Sequence, residues 1–219
     1  MARIQLLLIA AVTLLCGCAE IVPLTGGAED TFAPVPVKQT PEQGMTHFSG
    51  NSVSMTFNEY LRLNDPANTI TMNPSVGKLT TELKNRTVNI SWAEPLKPNT
   101  TYILQLNGAI RDLNEGNDSI MQVVFATGAV IDSLGFEGRV VNAYSNQAMN
   151  QVSVGLYAPG TDPYAVKPVY ATRSDAKGLF RFSYLKNEPY AVFAFEDKNK
   201  DQLPQLSETI GFLDSTVSV

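Results

Sequence analysis

Residues of alternating polarity recur in short runs that are cut by turn formers, and helical spacing is weak nearly everywhere from Pro34 onward. Val53-Ser54-Met55-Thr56-Phe57, Val88-Asn89-Ile90-Ser91-Trp92 and Tyr102-Ile103-Leu104-Gln105-Leu106-Asn107 can each bury one face and wet the other, as a half-buried strand does. Between them stand Asn64-Asp65-Pro66, Asn73-Pro74, Glu94-Pro95, Lys97-Pro98-Asn99 and Asn114-Glu115-Gly116-Asn117-Asp118, which supply the dihedrals that reversals need. Nothing has the spacing of a strand-helix-strand crossover. The expectation is therefore all-β: consecutive antiparallel β-sandwiches. Met121 to Gly128 reads as the last strand of the first sandwich.

Five separated segments carry a family likeness in order: Met55-Thr56-Phe57-Asn58-Glu59, Asn68-Thr69-Ile70-Thr71, Leu96 to Tyr102, Ile110 to Asn117, and Phe125-Ala126-Thr127-Gly128. Residues 34–128 resemble the bacterial Ig-like domain of the SbsA type. That resemblance implies a structural or adhesive module without catalysis. A linker is expected over 129–135, and a second module over 136–219. Phe136 to Val141, Val152 to Tyr157, Tyr170 to Phe182 and Tyr190 to Phe195 read as its strands, with Asp175 to Gly178 as a hairpin-like turn. This order resembles the carboxypeptidase regulatory-like domain, a small prealbumin-like sandwich that accompanies catalytic domains. Chains with that resemblance run on further, so a truncated second module is one reading, and an accessory region of a longer envelope enzyme is another.

The amino terminus reads as an address. Arg3 precedes an apolar run from Leu6 to Leu15. A membrane-spanning helix needs about 20 such residues, so the run suits a removable signal peptide over 1–17. Leu15-Cys16-Gly17-Cys18 resembles the lipobox of bacterial lipoproteins, which implies acylation of Cys18 and a membrane partner reached through lipid. Residues 18–33 then serve as the acylated tether. Ala19 lacks the aspartate that typically retains such proteins at the inner membrane, so the resemblance points to the outer membrane.

Composition narrows the function. The 219 residues are 44% hydrophobic, enough for a core, and carry a formal net charge of -5. A nucleic-acid surface needs clustered Lys and Arg, which are absent. Both cysteines fall within the first eighteen residues, so the folded body has no disulfide and no thiolate metal site. The single histidine, His47, has no cysteine or nucleophile turn to pair with, and no phosphate or dinucleotide loop occurs. Carboxylates such as Glu59, Asp65, Asp112 and Glu115 sit in turn-like stretches and read as solvated. An enzyme is not expected.

Three weaker signals remain. Asp197, Asn199, Asp201 and Glu208 stand at the first, third, fifth and twelfth positions of a calcium-loop spacing, where a hard cation finds oxygen ligands. Gln202 and Pro204 break that pattern, so a solvated polar turn is the favoured reading and Ca2+ the alternative cofactor. Ser119, Ser133 and Ser215 lie in Asp-Ser/Thr-apolar or related triplets that resemble bacterial O-glycosylation sites. Trp92, Tyr102, Phe180, Phe182 and Phe193 are expected in cores, with a glycan platform as the alternative. The functional expectation is a non-catalytic envelope lipoprotein with a protein or glycan partner. A carbohydrate- or calcium-binding lipoprotein is the alternative.

Overall fold

The computed structural model describes residues 30–219. In chain order the strands are β1 (Pro36–Thr40), β2 (Ser52–Phe57), β3 (Leu61–Leu63), β4 (Ile70–Asn73), β5 (Leu79–Lys84), β6 (Thr87–Trp92), β7 (Thr101–Asp112) and β8 (Asp118–Ala126). They continue as β9 (Leu134–Arg139), β10 (Ser153–Tyr157), β11 (Tyr170–Arg173), β12 (Leu179–Leu185), β13 (Pro189–Phe195), β14 (Ile210–Phe212) and β15 (Val217–Ser218). The one helix among the described residues is a single turn, α1 (Pro66–Thr69). The fold is all-β, and its sheets are antiparallel.

The first eight strands build two facing sheets. One runs β1-β2-β6-β5. In the other, β7 carries β8 along one edge and β3 and β4 end to end along the opposite edge. Alternation explains the packing: Val53, Met55 and Phe57 of β2, and Val88, Ile90 and Trp92 of β6, point inward onto Tyr102, Leu104, Leu106 and Phe125. Phe125 is the hub, with the rings of Phe48, Tyr102 and Trp92 centred 4.7, 5.7 and 6.2 Å from its own. Each buried aromatic contributes on the order of 1.5–3 kcal/mol of transfer free energy.

Strand β7 outruns the alternation that marks it. The expected strand stops at Asn107, but Gly108 adopts φ +71 and the pairing with β8 resumes at Ile110 after a register shift. A side chain at that φ is disfavoured, so glycine lets the bulge form and the strand continue to Asp112.

The remaining strands make a second two-layer arrangement. β11-β10-β13 form a sheet extended by β14 and β15 on the far edge of β13, and β9 pairs with β12. Val154, Leu156, Tyr170, Tyr190 and Val192 from the larger sheet meet Phe182 and Leu185 from the smaller one. The Asp175–Gly178 turn is present, with Gly178 N–H donating to Asp175 O at 2.8 Å and Asp175 Oδ1 accepting from Lys177 and Leu179 N–H. It does not close a hairpin. β11 pairs with β10 and β12 with β9, so the turn carries the chain from one sheet to the other.

Candidate functional site

Cys18 lies outside the described residues. The other sequence candidates have definite places. Asp197, Asn199, Asp201 and Glu208 fall on the loop between β13 and β14. Glu208 is buried and turned back on that loop, its Oε1 accepting from Lys198 N–H at 2.9 Å and its Oε2 from Gln205 N–H at 3.1 Å. Asp201 Oδ1 accepts from Leu203 N–H at 2.8 Å, and its Oδ2 from Asn199 Nδ2 at 2.8 Å. Those bonds favour the ionised form and hold the Asp201 carboxyl below its ordinary range, against the opposing effect of burial.

Asp197 points elsewhere, into the second sandwich. Its Oδ2 accepts from Ser153 Oγ at 3.2 Å and lies 3.4 Å from Arg173 Nη2, while its side chain is fully buried. Among the described residues no three His, Cys, Asp or Glu side chains gather as a metal-holding group. The spacing that fits a cation loop is used here to tie the loop to its own amides.

Around Asp197 the polar accounting is incomplete. Its Oδ1 and the Tyr157 hydroxyl are both buried without a hydrogen-bond partner. Burial pushes the Tyr157 phenol up to about 12, and the negative charge of Asp197 adds to that rise. Arg173 and Ser153 were not signalled by the sequence, because each sits on a separate strand far from Asp197 along the chain.

The candidate modification sites differ. Ser119 is buried in β8, with its hydroxyl donating to Pro34 O at 2.7 Å, so the folded chain withholds it from an enzyme. Ser133 and Ser215 are exposed, the first just before β9 and the second between β14 and β15. His47 is exposed on a segment that runs alongside β8. Asp112 is buried at the end of β7, and the Asn114 N–H, donating to it at 2.8 Å, is the largest influence lowering its carboxyl.

Of the aromatics weighed for a glycan platform, Trp92, Tyr102 and Phe182 are core residues, while Phe180 and Phe193 are half-buried. An aromatic row leads from buried Tyr157 through half-buried Phe193 to exposed Phe212, with successive ring centroids 5.4 and 6.0 Å apart. The planes of the latter two are tilted by 38°, so they present no flat shelf.

The two sandwiches meet through specific bonds. Asn73 at the end of β4 uses its side-chain amide as a backbone mimic: Nδ2 donates to Ala171 O and Oδ1 accepts from Ala171 N–H, both at 2.9 Å. On the linker side, Thr101 and Asp132 exchange another pair, Thr101 Oγ1 donating to Asp132 Oδ2 and accepting from Asp132 N–H, both at 2.8 Å. Beside them lies a cleft of about 300 Å³ lined in part by Pro74, Lys97, Pro159, Tyr170, Lys186 and Tyr190. Its polar groups serve one another: Lys186 Nζ pairs with Glu188 at 2.7 Å, and the Tyr190 hydroxyl donates to Lys186 O at 3.0 Å.

No curated protein sequence matches the chain. Among solved structures it is similar to BcpA, the major pilin subunit of Bacillus cereus, at 12% identity and a TM-score of 0.26 over 82% of this chain and 63% of that one. It is also similar to the N-terminal part of the bacterial S-layer protein SbsC, at 10% identity and a TM-score of 0.29 over 79% and 43% of the two chains. The group B streptococcus pilus 2b backbone protein gives 12% identity and a TM-score of 0.25 over 83% and 88%. The chain spans less than two thirds of the first two of these structures. Likeness this low says nothing of function. Residues 30–127, by contrast, match the family model of the bacterial Ig-like domain.

Proposed function

We propose that the protein is a non-catalytic module of the cell envelope, acylated at Cys18 and held at the outer membrane, whose sandwiches act as a stiff spacer that displays loops to a protein or glycan partner. The observation that carries this reading is the junction. Asn73 exchanges a donor and an acceptor with Ala171 of the following module, and Thr101 does the same with Asp132 of the linker, so the first sandwich holds both the next one and the segment that leads to it. A stiff connection serves display and spacing.

The polar clusters support the same reading. The carboxylates of Asp201 and Glu208 are engaged by backbone amides, and Lys186 is engaged by Glu188. The match of residues 30–127 to an Ig-like family agrees with a structural role. Mass analysis of the mature N-terminal peptide, combined with protease shaving of intact cells, tests it. The expected results are a diacylglycerol-modified Cys18 and a body released by protease. An unmodified, freely soluble chain would defeat the anchoring part, and turnover of a small-molecule substrate by the purified protein would defeat the rest.

A further inference from the structure

Exposed apolar side chains gather at one end of the first sandwich. Val35 is 56% exposed, Tyr60 59%, Leu113 50% and Ile120 82%. Backbone bonds bring them together. Asn58 N–H donates to Val35 O, and Leu113 N–H donates to Tyr60 O, both at 3.1 Å. Ser119, next to Ile120, holds Pro34 O with its hydroxyl. Water-facing apolar groups clustered this way mark a contact surface more often than singly scattered ones do.

The position of this end within the fold bears on what would cover it. Strand β7 runs from Thr101, bonded to Asp132 of the linker that leads to the second module, to Asp112, which pairs with Leu61 beside Tyr60. Twelve strand residues cover about 35–40 Å, so the cluster lies at the end of the sandwich remote from the junction. The chain also enters the fold at this end, since Thr31 leads directly to Pro34 and Val35. Thirteen residue steps separate Cys18 from Thr31, which at full extension reach at most about 45 Å.

We propose that this end rests on the lipid surface that Cys18 anchors, with Val35, Tyr60, Leu113 and Ile120 at the boundary between headgroups and acyl chains. The proposal rests on the acylated reading of Cys18. Aliphatic side chains with a tyrosine whose hydroxyl can stay wet suit that boundary. The cations there, Arg62, Arg86 and Arg111, are outnumbered by the carboxylates of Glu59, Asp112, Glu115 and Asp118, so charge does not draw this end to an anionic surface. The contact is therefore apolar in origin and is not weakened by salt.

The test uses the full-length acylated protein reconstituted into phosphatidylethanolamine–phosphatidylglycerol vesicles. Cys16 leaves with the signal and Cys18 is blocked by lipid, so a new cysteine is the only free thiol. Fluorophores are attached to Tyr60→Cys, Leu113→Cys and, as the remote control, Leu206→Cys, whose native residue is 97% exposed in the second module. Brominated lipids are expected to quench the labels at 60 and 113 at least about threefold more than the label at 206, and no less in high salt than in low. Adding Val35→Ser and Ile120→Ser is expected to bring the label at 113 down to the remote value without changing thermal unfolding. Equal quenching at all three positions on vesicle-bound protein overturns the proposal and leaves the anchor standing. Protein that stays in the supernatant overturns both. Labels shielded from aqueous iodide yet untouched by brominated lipid assign the face to a second copy of this chain and also overturn it.

Discussion

Replacing Asn73 tests the brace between the sandwiches most directly. Its amide makes two bonds of 2.9 Å to one residue, Ala171, which completes a strand-like pair across the junction. Each bond contributes about 0.5–1.5 kcal/mol, and removing both leaves the Ala171 N–H and C=O to partial hydration. Asn73→Ala should therefore cost about 2 kcal/mol, which for the braced body of about 190 residues lowers Tm by about 4–8 °C. Asn73→Asp separates bond loss from side-chain loss. It keeps the acceptor for Ala171 N–H but turns a second carboxylate oxygen toward Ala171 O, a repulsion that protonation removes. At neutral pH the aspartate variant should be no more stable than the alanine variant, and near pH 3 it should regain part of the loss relative to wild type at the same pH. Calorimetry reads the Tm, and limited proteolysis of residues 129–135 reads the freedom of the junction. An alanine variant melting within about 1 °C of wild type, with linker cleavage unchanged, would refute the idea that this pair braces the modules.

Other outcomes follow from the second sandwich. The Tyr157 phenol, lifted chiefly by burial to about 12, titrates near 10 when unfolded, so the stability it confers is complete below about pH 10 and is lost as pH rises through about 12. Tyr157→Phe should flatten that alkaline loss by on the order of 2 kcal/mol in denaturant titrations, and at pH 7 it should be neutral or stabilising because the hydroxyl lacks a partner. Arg173→Ala should cost about 1–3 kcal/mol by stranding the buried Asp197 carboxylate, and Asp197→Asn should cost less; the reverse order in urea midpoints would contradict the pairing. Gly178→Ala places a Cβ 2.4 Å from Val140 O at φ +76 and should lose several degrees of Tm, whereas Gly160→Ala, at φ +77 with nothing within 4 Å, should lose only about 1 kcal/mol.

What could be read from the chain depended on whether a strand has one buried face. β2 and β6 alternate strictly between half-buried and buried residues, and both were legible as period-two runs. β1, with four of five residues exposed, and the two-residue β15 carry no such contrast, because edge strands are held mainly by backbone bonds that leave no mark on side-chain polarity. The Asp175–Gly178 turn was legible, yet its use was not. Its local bonds are the same whether the flanking strands pair or part, and the choice lies with Phe182 and Leu185 packing across from Val154 and Leu156. The loop from Asp197 to Glu208 follows the same logic. Spacing counts the oxygens a loop carries, whereas their direction is set by Arg173, Ser153 and the loop amides, which reach Asp197 and Glu208 only after the sheet has formed. Asn73 and Ala171 are 98 residues apart, so the bond that joins the modules exists only between two finished sandwiches, and its legibility begins with the fold.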